Sequence, residues 1–118
     1  MATAEIKLTQ RMLDKTEINA NKTVQKFLEE DFEMSYTDPF FVERAKLTIT
    51  GEYADGERAD VRFFCRSKRG DKMLSIKKLK QYAEAGDTVI LTSNVGDRGS
   101  DAEYLIYINI VRETDAAA

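Results

Sequence analysis

The chain has 118 residues, 42% hydrophobic and 33% charged, with a formal net charge of −3, one cysteine and no histidine. That length suits a single domain able to bury its own core, and no run approaches the roughly 18 apolar residues of a membrane span, so no membrane role is expected. The missing histidine excludes histidine-dependent triads and the usual zinc sites. The lone Cys65 has no partner for an internal disulfide and fits a reducing, cytoplasmic setting as a small core hydrophobe.

Residues 1–35 predict an N-terminal helical extension. The first residues lead into alternating charge without an apolar core, so no secretory leader is expected. Ile6, Leu8, Met12 and Leu13 give a weak amphipathic pattern over Glu5–Lys15. Val24, Phe27, Leu28 and Phe32 then form a helical stripe after an Asn21 cap, with Glu29, Glu30 and Asp31 on the other side. The stripe suits docking on the domain core, with a homodimer contact through these helices as the alternative. Asp38-Pro39 marks the boundary to a β domain over residues 36–113, followed by a tail over 114–118.

From Phe40 the period becomes two. Ala45, Leu47 and Ile49 alternate with Lys46, Thr48 and Thr50, as in a half-buried strand. Asp55-Gly56 predicts a hairpin turn. A second strand is expected from Arg58 to about Ser67, a turn at Lys68-Arg69-Gly70-Asp71, and a third strand from Lys72 to Ser75. Ser75–Ala85 reads as a helix with Ile76, Leu79 and Tyr82 on one face and Lys77, Lys78 and Lys80 pointing away. Thr88–Asn94 reads as a strand. In Tyr104–Val111 a capping-box match at Ser100 and Glu103 argues for helix, whereas β-branched and aromatic residues argue for strand, and strand is expected.

Charge is uneven along the chain. Val61–Lys80 holds eight bases (Arg62, Arg66, Lys68, Arg69, Lys72, Lys77, Lys78, Lys80) against one acid, Asp71, while the remainder carries ten bases and twenty acids. Alternation in the second strand puts Val61, Phe63 and Cys65 on a core face and Arg62, Phe64, Arg66 and Lys68 on the other. An aromatic among cations is what single-stranded nucleic acid requires, since bases stack and phosphates are neutralised. The competing expectation is a charged edge strand whose arginines pair with acids such as Asp31 or Glu33. The helical lysines are expected to be mainly solvated.

The order strand, strand, strand, helix, strand, strand, with Gly86-Asp87-Thr88-Val89-Ile90-Leu91 and Tyr104-Leu105-Ile106-Tyr107-Ile108 as a closing hairpin, resembles the oligonucleotide/oligosaccharide-binding (OB) fold. That closing phrase is shared with other small β-rich domains, including double-psi and B3-like DNA readers. A fainter likeness joins Tyr36–Ala45, Ser75-Ile76 and Gly86-Asp87 to the phosphocarrier HPr family, whose phosphorylated histidine has no counterpart here.

The expected fold is therefore α+β, mostly β: a small five-stranded OB-like barrel with a helix between its third and fourth strands. The OB resemblance implies binding on the second and third strands, which here gives Arg62, Phe64, Arg66, Lys68, Arg69 and Lys72. Single-stranded nucleic acid is the expected partner, DNA ahead of RNA. The alternative is a protein-interaction adaptor or inhibitor that uses the acidic surface or the N-terminal helix. Acids are not clustered to hold magnesium and there is no Gly-rich phosphate loop with Lys and Ser/Thr. No catalytic residue, metal or cofactor is expected.

Overall fold

A computed structural model describes residues 2–43, 45–66, 70–96 and 103–113. Seven strands form one curled sheet: β1 (Ala4–Lys7), β2 (Ile18–Asn19), β3 (Leu47–Tyr53), β4 (Arg58–Cys65), β5 (Lys72–Ile76), β6 (Thr88–Ser93) and β7 (Leu105–Val111), in the spatial order β1-β6-β7-β3-β4-β5-β2. Four helices accompany them among the described residues: α1 (Gln10–Lys15), α2 (Lys22–Phe32), α3 (Pro39–Val42) and α4 (Leu79–Tyr82). The α+β, mostly β class is as expected, but the sheet has seven strands rather than five. No helix among the described residues is long and apolar enough to cross a membrane.

The first 35 residues do not form a purely helical extension. Ala4, Ile6 and Leu8 are buried while Glu5 and Lys7 are exposed, a period of two that makes Ala4–Lys7 a strand. β1 pairs antiparallel with β6, and β2 pairs with β5, so this segment supplies both edges of the sheet. The Asn21 cap is present, its side chain accepting from Val24 N at 3.1 Å. Val24, Phe27 and Leu28 are fully buried in the chain's own core. The start of α2 also covers the free edge of β1: Glu5 N–H donates to Thr23 Oγ1, and Asn21 Nδ2 and Thr23 Oγ1 both donate to the Glu5 carbonyl. An edge satisfied this way no longer templates another strand. Asp31, buried on α2, accepts from Ala2 N–H at 2.9 Å and Ser93 Oγ at 2.6 Å, which fastens the helix to the β1–β6 end.

The hairpin at Asp55-Gly56 forms as expected. Gly56 has φ 88°, Tyr53 N–H donates to Glu57 O, and Asp55 Oδ1 accepts from Glu57 N–H. A positive φ at the end of a three-residue loop is what glycine supplies without strain.

The expected Ser75–Ala85 helix is corrected. Ile76 stays in the ladder opposite Val61, and Lys77 N–H continues it to Asp60 O. Lys78 turns the chain in a left-handed conformation (φ 65°), leaving one helical turn before Ala83 becomes extended. Phe40, expected at a strand start, lies in the short helix behind Pro39, where Phe41 is buried and Phe40 is 39% exposed. Tyr104–Val111 resolves to strand from Leu105. The capping-box serine and residues 114–118 lie outside the described residues.

The two halves of the sheet join where β3 and β7 run parallel, Gly51 opposite Ile106 and Tyr53 opposite Ile108. A Cβ on Gly51 would lie 2.6 Å from Ile108 Cδ1 and 2.7 Å from the Ala59 carbonyl oxygen. Gly51→Ala is therefore expected to cost about 1–3 kcal/mol by overpacking, read as a lower urea midpoint with an unchanged m-value.

At the other end of the hairpin β6–β7, buried Asp87 accepts from Glu84 N–H (2.9 Å), Glu113 N–H (3.2 Å) and Arg112 Nη1 (2.8 Å). The Glu84 N–H above all, then Glu113 N–H and Arg112, outweigh burial and hold the carboxyl below its ordinary range. A folded-state pKa below the unfolded value of about 3.9 stabilises the protein above that value. The contribution is lost as pH falls through the folded pKa. Asp87→Asn should lower the melting temperature at neutral pH and flatten the acid limb of the stability profile. An unchanged acid limb would count against this assignment.

Candidate nucleic-acid interface

The outer face of β4 carries Asp60, Arg62 and Phe64, while Val61 and Phe63 point into the core, as alternation requires. Arg62 stands opposite Ser75 on β5 and Thr48 on β3, with its guanidinium 3.7 Å from Asp60. Phe64 is only partly exposed. It faces the buried Met73, and Lys46 Nζ lies 5.4 Å from its ring centroid. A cation over the ring face already uses part of the surface on which a base would stack.

The remaining expected residues separate. Arg66, just beyond β4, donates through Nε (2.9 Å) and Nη2 (2.6 Å) to Glu17 Oε2. The pairing of an arginine with an acid was anticipated, but the acid is Glu17, ahead of β2, rather than Asp31 or Glu33. Lys72 lies opposite Cys65, so it belongs to the other face of the sheet, and its Nζ donates to Gln25 Oε1 on α2 at 3.2 Å. It does not join Arg62 and Phe64. Lys68 and Arg69 lie outside the described residues. Cys65 is half-buried and donates to the Tyr36 carbonyl at 3.7 Å, and burial pushes its thiol pKa up.

A groove of about 310 Å3 runs between the α1–β2 segment and the β4–β5–α4 corner. Its floor is apolar, from Leu13, Ile18, Ile76 and Leu79. Its polar lining is Thr16, Asp60, Arg62, Ser75, Lys77, Lys78, Lys80 and Gln81, so four bases face one acid. The three lysines expected to be solvated helix surface thus join Arg62 in one concavity. They do so because β5 runs on through Ile76 and the left-handed Lys78 turns α4 back over the strand ends. The signal available in the sequence was Ile76, whose β-branch favours the ladder.

The groove's corner is held by the hairpin tip. Tyr53 and Tyr82 stack with ring centroids 3.8 Å apart and 5° between planes. Tyr53 Oη donates to Lys77 O at 2.7 Å, Tyr82 Oη to Asp55 Oδ2 at 2.9 Å, and Lys78 pairs with Glu57. Burial, then the neighbouring Tyr82 and Asp55, push the Tyr53 hydroxyl well above its ordinary range. The Glu57 N–H and the Tyr82 hydroxyl hold the Asp55 carboxyl below its own. These contacts fix the backbone that carries Lys77 and Lys78.

Elsewhere, the described residues contain no group of three or more acids or cysteines placed to hold a metal ion. A second hollow is lined by Phe32, Met34, Leu47, Thr48, Ile49, Thr50, Glu103 and Tyr104 and has no basic residue in its lining. No protein-family model matches the chain, and no curated protein sequence matches it.

Tyr53→Phe removes one partly buried hydrogen bond and keeps the stacked pair, so it should cost about 0.5–1.5 kcal/mol, measured by urea unfolding. A loss well outside that range would show that the hydroxyl does more than tether Lys77.

Proposed function

We propose that this protein binds nucleic acid, DNA above all, without chemistry, through the groove between α1–β2 and α4. The observation that carries this is the convergence of Arg62, Lys77, Lys78 and Lys80 on one concavity in a protein of net charge −3. A local positive field concentrates a polyanion where the rest of the surface repels it. Arg62 and Gln81 can also hydrogen-bond base edges, and Ser75 can bond to a phosphate oxygen or a base.

The groove's lining has no aromatic residue, which favours phosphates and base edges over stacking. Such a lining can take the phosphate backbone of a duplex as well as that of a single strand. A single-stranded ligand would draw in addition on Phe64, beside Arg62 on the same face of β4. The single free cysteine is compatible with a cytoplasmic setting.

A protein-interaction adaptor has one specific observation in its favour. Phe40 and Val42, both on α3, are 39% and 68% exposed. A homodimer built on α2 would have to use its charged outer face, because Val24, Phe27 and Leu28 are buried within the chain.

Fluorescence anisotropy with labelled duplex and single-stranded oligonucleotides across a salt series separates these cases. Binding should weaken linearly in log K against log salt. Lys77→Gln should lower the slope by about 1, the value for one lost phosphate contact. Phe64→Ala should leave duplex binding little changed, whereas on single strands a loss of about 1–3 kcal/mol would mark stacking. No binding of any oligonucleotide at low salt would overturn the proposal in favour of the adaptor.

A further inference from the structure

Most of the bases around this groove already hold an acid of the same chain. Arg62 is 3.7 Å from Asp60 and Lys80 Nζ is 3.5 Å from Asp14, while Lys78 holds Glu57. Arg66, at the end of β4, holds Glu17 in the same way. The Lys80–Asp14 pair joins α4 to α1, the two sides of the groove, so it spans the concavity. Among the groove's bases only Lys77 has no ion-pair partner among the described residues.

Resting on the nucleic-acid reading of this groove, we infer that Asp14, Glu57 and Asp60 are specificity-determining residues that occupy the cations in place of phosphate. Each pair is solvent-exposed on at least one side and so individually weak. A phosphate can displace the carboxylate, but it then replaces one charge partner with another, and the net gain per contact falls. A carboxylate left beside a bound phosphate also repels it. A polyanion offering charge alone therefore binds poorly.

A ligand that also offers hydrogen-bond donors does not meet the same penalty. Asp60 can accept from a cytosine amino group while Arg62, two residues along the same face of β4, donates to guanine. The acids thus favour base-edge recognition over phosphate charge by penalising the wrong ligand, which is how specificity is commonly built. Lys26–Glu30 on α2 is an ion pair outside the groove and provides a natural contrast.

The test uses random-sequence duplex DNA as the probe and the full chain as the protein. The triple variant Asp14→Asn, Glu57→Gln, Asp60→Asn should bind this probe roughly 3- to 30-fold tighter than wild type at low salt, from three weak exposed pairs. The gain should shrink as salt rises. A charge-matched control, Glu29→Gln, Glu30→Gln, Glu43→Gln, removes as many acids, none of which pairs with a base of the groove. It should gain little. Equal affinity of the triple variant and wild type, or an equal gain in the control, overturns the inference and leaves the binding groove standing. Failure of all three proteins to bind at low salt overturns the groove as a nucleic-acid site and this inference with it.

Discussion

The parallel pairing of β3 with β7 makes one sheet out of two. On one side lies the meander β3–β4–β5 with β2 at its edge, and on the other the hairpin β6–β7 with β1 at its edge. Backbone contact between the halves runs through four residue pairs, from Thr50–Leu105 to Tyr53–Ile108. Gly51 sits in the middle of that seam, where Ile108, Ala59 and Val61 close over the space a side chain would need. Because the halves meet here, the inward faces of both form one core around Phe27, Phe41, Phe63, Leu91 and Ile106. A parallel pair needs a long crossover connection. The β5–β6 segment with α4 lies inside that crossover, and its shape sets one wall of the groove.

The edges are the second constraint. A seven-stranded open sheet exposes two edges, and both are handled by the first third of the chain. The α2 start saturates the backbone of β1 at Glu5, and β2 adds a short strand beyond β5. The turn that carries α1 from one edge toward the other also forms the second wall of the groove, through Met12, Leu13 and Thr16. The candidate interface is therefore a by-product of edge protection: the segment that shields the sheet also frames a concavity beside the basic strand.

Charge within that concavity is arranged in opposition. Four bases line it, yet Asp14, Glu57 and Asp60 lie within ion-pair reach of three of them. On the proposed reading, a protein of net charge −3 with such a groove selects among polyanions rather than coating them. The stacked Tyr53–Tyr82 pair and the Tyr53 bond to the Lys77 carbonyl hold the lysine-bearing corner in place, so the charges are presented on an ordered scaffold.

Local chemistry made much of this legible in advance. Asp55-Gly56 encodes its own turn, Asn21 caps its own helix, and the alternation through Val61–Cys65 assigns core and outer faces, because each depends only on neighbours along the chain. The separate β1 and β2, the extended path through Lys77 and the rotation of Lys72 toward α2 were not legible. Short segments such as Ile18–Asn19 become strands only when a distant edge supplies hydrogen bonds, and Lys72 takes the face of Cys65 because the β4–β5 register places it there. Residue order alone carries the concentration of positive charge in an acidic chain and the alternation behind a β-rich core. Which cations share a groove depends on register and crossover path, set by long-range backbone pairing, which bring Lys77, Lys78 and Lys80 to Arg62 and send Lys72 away.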